Sequence, residues 1–478
     1  MRQDSTNVPR HRFLHTVNGK GVDSDRHLPV LNPATEQSYA LCPIASRSLL
    51  DEAVASAREA FRAWRRRSVE DRRNLLCEFA DSLVHHCGEI AEVLTSEQGK
   101  PLRRAEDEIL RAATQVRALV SIPLEDEQFR NSSGNEVEVI YKPLGVVGAI
   151  TPWNMPIMLA VIKIAHALYT GNTVVLKPSP YTPLATLLMG QLVAGAFPPG
   201  VLNIVAGEDE LGRWMSEHAG IDKISFTGSG ATGRKVMSSA SGTLKRVTLE
   251  LGGNDAAIVL PDVDLEKAVP RLFAAAFVNS GQVCMAIKRL YVHDSIYEPV
   301  CRDLAALAKA AKVGDGADPA TQIGPIQNAM QYRIVLDILA DTRRVAGARF
   351  LAGGEVSDGP GYFFAPTVVA DVREGCRLVD EEQFGPILPV IRFSDVDDAV
   401  ARANATPFGL GGSVWSRNVK HARDIAAQLD VGVAWINSHV GGDPLVPFGG
   451  RKASGIGRES SLAGLRSYME ATAITIFG

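Results

Sequence analysis

In the stretch FVNSGQVCMAIKR, residues 277–289, one of the chain's six cysteines, Cys284, follows an Asn-x-Gly-Gln turn signal. A cysteine that only fills a core has no need of that setting, whereas a thiolate that must meet a substrate does. Taken alone, Cys284 reads as a small core residue; the flanking turn moves the reading to a nucleophile. A second signal is ISFTGSGATGRKV, where Gly228, Gly230 and Gly233 form a G-x-G-x-x-G between a strand and a helix. Glycines there let a backbone approach a pyrophosphate, and the helix N-terminus offers free N–H groups to an anion. Glu250 ends the next strand, within ELGG, and fits either a ribose partner in a dinucleotide site or a carboxylate that does chemistry. Spacing alone leaves both open. The remaining cysteines, Cys42, Cys77, Cys87, Cys301 and Cys376, show no Cys-x-x-Cys pattern. None lies at ligand spacing from a histidine, so we expect no metal site and reduced thiols in a cytoplasmic protein.

A chain of 478 residues is too long for one core and implies two or three domains. Residues 48–120 repeat apolar side chains every three or four positions and read as helices. Residues 121–145 are polar and turn-rich with an alternating VEVIY, the pattern of an extended hairpin or arm. From 145 to 260, strand patterns such as GVVGAI, TVVLK and KISF alternate with helical ones such as IMLAVIKIAHALY, which predicts βαβ units around a parallel sheet. A second α/β series runs from DAAIVLP to VAWINS. The net charge of −4, spread along the chain, gives no reason to expect a nucleic-acid or anionic-membrane partner. The longest apolar runs, PLGVVGAI and MPIMLAVI, are too short to span a bilayer, and no apolar segment of a signal peptide follows the N-terminal charges.

In chain order, VNGK, NPATEQ, LTSEQGKP, TPWNMP, LKPSPYTP, PPGVLNIVAG, FTGS, ELGG, N-x-G-Q-x-C, EEQFGP and PFGGRKASGIGRE resemble the aldehyde dehydrogenase superfamily nearly end to end. The resemblance implies an α/β fold with a Rossmann-type dinucleotide-binding domain (1–120 and 142–252), a catalytic domain (253–453) and a small β oligomerisation arm (121–141 and 454–478). It implies oxidation of a small-molecule aldehyde to a carboxylic acid with NAD(P), in a homodimer or homotetramer. By the same resemblance Cys284 matches the nucleophile, Glu250 the general base, Asn154 the oxyanion donor and Lys163 a lysine near the base. Lys177 matches the residue at the adenosine ribose. Ser229 and the following helix match the pyrophosphate contact, and Glu382 the carboxylate on the nicotinamide ribose, with Phe384 beside that ring. Thr151, Pro152, Trp153, Ser179, Gly207, Phe226, Thr227, Gly228, Gly233 and Leu251 complete the implied cofactor surface. Glu250 is thereby taken off the ribose and given to the chemistry.

That chemistry is coherent. A thiolate adding to an aldehyde makes a tetrahedral oxyanion that can release hydride, and the thioester left behind needs a carboxylate-activated water. Glu250 argues against a CoA-acylating semialdehyde dehydrogenase on the same fold, because CoA needs no such base. A cofactor-free cysteine hydrolase would require a histidine base, and the nearest, His293, lies across a predicted strand. A non-catalytic binding protein would have no need of Cys284, Glu250 and Asn154 together. The sequence also departs from the family. Pro180 stands where many NAD-using members carry Glu, which favours NAD less firmly over NADP. Ile287 and Lys288 precede Arg289, where many members have small residues, so substrate analogy weakens. The apolar MPIMLAVI favours an aliphatic or aromatic aldehyde. Lys163 interrupts an apolar helix, where snorkelling to the surface is the plain alternative, and His439 is expected near the substrate mouth.

Overall fold

The computed structural model describes residues 11–356, 359–439 and 442–477. Two large sheets dominate. In the eight-stranded sheet the parallel strands Arg246–Glu250, Lys223–Thr227, Val146–Ile150, Thr173–Lys177 and Leu202–Ile204 lie side by side in that order. Most of their residues are buried, as a sheet covered by helices on both faces requires. The chain leaves Val146–Ile150 first to one side and later to the other. The crevice at the carboxyl ends of Val146–Ile150 and Lys223–Thr227 is therefore a topological switch point, where open α/β sheets bind ligands. Thr151, Lys177, Thr227 and Glu250 all stand at that edge. The seven-stranded sheet carries Asp255–Val259 and Ile287–His293 as parallel neighbours near its centre.

The expected hairpin is present: Glu127–Arg130 pairs antiparallel with Glu136–Pro143, which pairs in turn with the C-terminal strand Met469–Ile476. Earlier in the C-terminal stretch, Gly455–Ile456 instead adds an edge strand beside Leu249 and Glu250 in the eight-stranded sheet.

Two buried acids hold the helices that flank the crevice. The helices Leu184–Leu192 and Pro156–Tyr169 lack side-chain N-caps of their own. Glu97 accepts from the Leu184 and Ala185 N–H groups at 2.7 and 2.9 Å. Glu108 accepts from Ile157 and Met158, each at 3.0 Å. Both satisfy orphan donors at the positive end of a helix. Glu108 also pairs with Lys100, whose ammonium donates to the main-chain oxygen of Asn154 at 3.1 Å. Removing the acid leaves that ammonium buried and unpaired. Glu108→Ala is expected to cost about 3–5 kcal/mol in urea unfolding; a loss below about 1 kcal/mol, the value of an exposed pair, would contradict this support role.

Candidate active site

Cys284 sits on neither helix nor strand but after a backbone turn of unusual shape. Asn279, Ser280 and Gly281 have φ of 49°, 56° and 73°, three consecutive left-handed residues, which only glycine adopts without cost. Side chains enforce the turn. Asn279 donates to the Asn154 main-chain oxygen at 3.0 Å, Ser280 to the Gly324 oxygen at 2.8 Å, and Gln282 to the Asn279 oxygen at 3.0 Å. The Gln282 amide oxygen accepts from Gln327 N at 2.8 Å. Any side chain at Gly281 would run into the Gly385 carbonyl oxygen. The Asn-x-Gly-Gln spacing is thus a geometric device that presents the next residues. Cys284 as a residue is half-buried. Burial by its surroundings pushes its pKa up to about 12, Lys288 opposes this, and Glu382, Asp255 and Glu250 add to it.

Asn154 is buried, and its amide donates to the Gln282 main-chain oxygen at 2.8 Å, which sets it against the nucleophile turn. The amide group has a second N–H to offer. Glu250 is 4% exposed, and neither of its carboxylate oxygens has a hydrogen-bond partner among the described residues. A Cβ at Gly449 would lie 2.8 Å from Glu250 Oε1, so a glycine is what leaves the carboxylate room. Burial, with the nearby Glu459 charge, raises the Glu250 pKa well above its usual range; Lys163 and Arg458 pull the other way.

Lys163 does not snorkel. It is fully buried, paired with Glu459 and donating to Ser225 Oγ at 3.0 Å, and Tyr468 donates to the same hydroxyl at 2.9 Å. The pairing has a clear effect on Glu459: burial would raise this acid, but Lys163 holds it below its ordinary value. His439 is buried, 2.8 Å from Ser413 Oγ and 2.9 Å from the main-chain oxygen of Met285, the residue after the nucleophile.

Around the switch point, Thr151 Oγ1 and Thr227 Oγ1 are buried without hydrogen-bond partners among the described residues. Trp153, after Pro152, meets Phe384 edge-on at 5.3 Å. Lys177 is buried, with its ammonium 3.3 Å from the Pro178 oxygen, and burial lowers its pKa to about 8. The Ser179 hydroxyl accepts from Tyr181 N at 3.3 Å. Ser229 caps the helix Gly230–Ser241 by accepting from Thr232 N at 3.2 Å. Glycines permit tight packing here. A Cβ at Gly233 would lie 2.6 Å from Leu251, at Gly228 2.5 Å from Phe226, and at Gly207 2.9 Å from Leu211. At Gly230 a Cβ would meet nothing nearer than Arg234 at 3.9 Å, so the helix start is open. Glu382 accepts from Gly253 N at 3.0 Å and lies 3.4 Å from Lys288. Free hydroxyls, a desolvated lysine and an open helix N-terminus suit a dinucleotide.

The aldehyde dehydrogenase family profile matches residues 21–474. The chain belongs to the aldehyde dehydrogenase family. It is 39% identical over 467 residues to an aldehyde dehydrogenase of a Fusarium species, covering 97% of this chain and 99% of that one. It is 34% identical over 480 residues to the succinate-semialdehyde dehydrogenase [NADP(+)] of Escherichia coli strain K12, covering 98% of each. An aldehyde dehydrogenase from Bacillus cereus, solved as an NAD+ complex, superposes with a TM-score of 0.94 at 35% identity, over 98% of this chain and 96% of that one. As an aldehyde dehydrogenase the protein oxidises aldehydes with NAD(P)+ as acceptor. Among the described residues no helix is long and apolar enough to cross a membrane, and no group of three or more His, Cys, Asp or Glu residues could hold a metal ion.

Several supports of this aldehyde dehydrogenase site escaped the sequence reading: Lys100, Glu108, Gln327 and Glu459. Lys100 lies inside LTSEQGKP and Glu459 inside GIGRE, segments matched only by resemblance, whereas Glu108 and Gln327 lie in no motif at all. The glycine of the turn gives a direct check. Gly281→Ala is expected to abolish nearly all turnover and to lower the urea midpoint, since overpacking costs about 1–3 kcal/mol; wild-type turnover would show that the left-handed turn is dispensable.

Proposed function

We propose that this aldehyde dehydrogenase works by the hydrolytic route, with Cys284 as nucleophile and Glu250 as general base. The observation that carries the reading is the buried Glu250 carboxylate without a partner, close enough for its charge to act on the Cys284 thiol. A carboxylate with no protein partner in a dry site has a free lone pair for a water. The Cys284 thiolate adds to the aldehyde carbon, and the carbonyl oxygen becomes an alkoxide. The free N–H of Asn154 and the Cys284 main-chain N–H take up that charge; losing one such donor costs about 2.7–4 kcal/mol. When bound, the nicotinamide supplies the acceptor for the hydride that the tetrahedral carbon releases. Glu250 then removes a proton from water as its oxygen attacks the thioester carbon, the C–S bond breaks, and the carboxylic acid leaves with Cys284 regenerated. Lys163 stays bound to Glu459 and helps to hold the base's surroundings.

In this reading the eight-stranded sheet and its helices bind the cofactor, with Lys177 and Ser179 at the adenosine ribose, the Ser229-capped helix at the pyrophosphate, and Glu382 and Phe384 at the nicotinamide end. Thr151, Pro152, Trp153, Gly207, Phe226, Thr227, Gly228, Gly233 and Leu251 form the remaining wall. The seven-stranded unit carries the nucleophile. NAD is the favoured cofactor, and the substrate an apolar aldehyde. The three-stranded arm, exposed over nearly all of Met469–Ile476, joins a homodimer or homotetramer, because an open sheet edge invites pairing. The six free cysteines suit a reducing cytoplasm.

An aldehyde panel read by NAD(P)H absorbance, with and without CoA, tests the route. Cys284→Ala is expected to show no turnover, and Glu250→Gln a single burst of reduced cofactor that then stalls. Full steady-state turnover in Glu250→Gln would overturn its role as base. Because the base must be ionised to act and its pKa is raised, the wild-type steady-state rate should rise with pH through a midpoint well above 4.5, the ordinary carboxylate value.

A further inference from the structure

Lys288 lies at the second position of the strand Ile287–His293, a buried strand in which Ile287 and Leu290 are apolar and Arg289 is a second buried cation. Its side chain is 3% exposed. The ammonium donates to the main-chain oxygens of Val283 at 2.8 Å and Cys284 at 2.6 Å, and stands 3.4 Å from Glu382 Oε1. The Phe384 ring lies 5.8 Å away. Its three N–H donors thus have three partners, and a desolvated cation is fixed against the nucleophile's own peptide.

The other charged groups facing the thiol are acids from three different elements. Glu382 comes from the loop after Arg377–Asp380, Asp255 from the head of the neighbouring strand, and Glu250 from the far sheet. The Asp255 carboxylate is buried with no hydrogen-bond partner among the described residues, and His439 Nε2 lies 3.6 Å from it. With several carboxylates around one thiol, thiolate formation depends on where the opposing cation sits.

We propose that Lys288 is a positioning residue of the reaction: held by the peptide carbonyls on either side of the nucleophile, it clamps them and supplies the positive charge that favours the thiolate, which the Glu382 charge opposes. This role rests on Cys284 being the nucleophile. It assigns a purpose to a lysine that the site chemistry otherwise leaves unused. The thiol's electrostatics agree: Lys288 pulls its pKa down against burial and the Glu382, Asp255 and Glu250 charges.

The test is the rate of iodoacetamide alkylation of Cys284 in the full-length protein, read by the mass of the Cys284 peptide across a pH series. Below the thiol's pKa the rate follows the thiolate fraction. Lys288→Met is expected to displace the whole rate–pH line downward by about tenfold or more, the effect of removing a neighbouring opposite charge. Glu382→Gln removes an acid but leaves Lys288, and should raise the rate. Lys288→Arg, which retains the charge, should recover most of the loss. General loosening of the site would expose the thiol and raise the rate in both variants. An unmoved line in Lys288→Met, or displacements of the same sign in Lys288→Met and Glu382→Gln, overturns the proposal. If Lys288→Met does not fold, an unmoved or lowered rate in Glu382→Gln overturns it. Turnover retained in Cys284→Ala would instead remove the nucleophile assignment, a result distinct from any of these.

Discussion

A carboxylate buried without a partner is the costliest feature of this site, and much of the surrounding structure serves to keep it so. An isolated buried charge is penalised by several kcal/mol, and the usual escape is to find a cation. Glu250 has a lysine nearby, but Glu459 has taken it. Lys163 is bound to Glu459 and Ser225, and Ser225 is held by Tyr468, so the ammonium is not free to swing toward Glu250. The backbone of Glu250 is fixed between Thr227 on one side and Gly455 on the other. The carboxylate remains where a water can give it a proton.

The nucleophile is governed by the opposite strategy, a backbone turn held by side-chain hydrogen bonds on several sides. The left-handed turn at Asn279–Gly281 is tied to Asn154, Gly324 and Gln327. Gln327 also donates to the Glu97 main-chain oxygen at 3.0 Å, and the Glu97 side chain caps the helix Leu184–Leu192. Through Lys100 and Glu108 the same network reaches the helix Pro156–Tyr169 and the Asn154 main chain. The two sheets are therefore joined by hydrogen bonds at the point where their chemistry meets. A rigid nucleophile and an unpaired base are complementary: the first sets geometry, and the second keeps reactivity.

Much of this was legible in the sequence, and the reasons differ by feature. Buried strands alternating with helical periods gave away the parallel sheets, and VEVIY gave away the hairpin, because both patterns are local. Gly228, Gly230 and Gly233 marked a strand-to-helix turn correctly, yet spacing left Glu250 undecided between ribose and chemistry; only the resemblance separated the two readings. Lys163 could not be placed by pattern. A lysine in an apolar helix leaves snorkelling open as an alternative until its partner is known, and that partner, Glu459, lies 296 positions away. The same holds for Lys100, Glu108 and Lys288, whose meaning is set by contacts that no local period encodes. Gly455–Ile456 shows the limit for strands: two residues are too few for any alternation to register.

The central claim concerns one ionisable group, and it can be observed without turnover. Infrared difference spectroscopy of the wild type against Glu250→Gln, titrated with the protein in its native assembly, isolates the carboxyl stretch of that side chain. The protonated band is expected to persist well above pH 4.5, the ordinary value for a glutamate. A band that has vanished by that pH would mean a solvated or paired carboxylate, and would contradict an unpartnered buried base at Glu250.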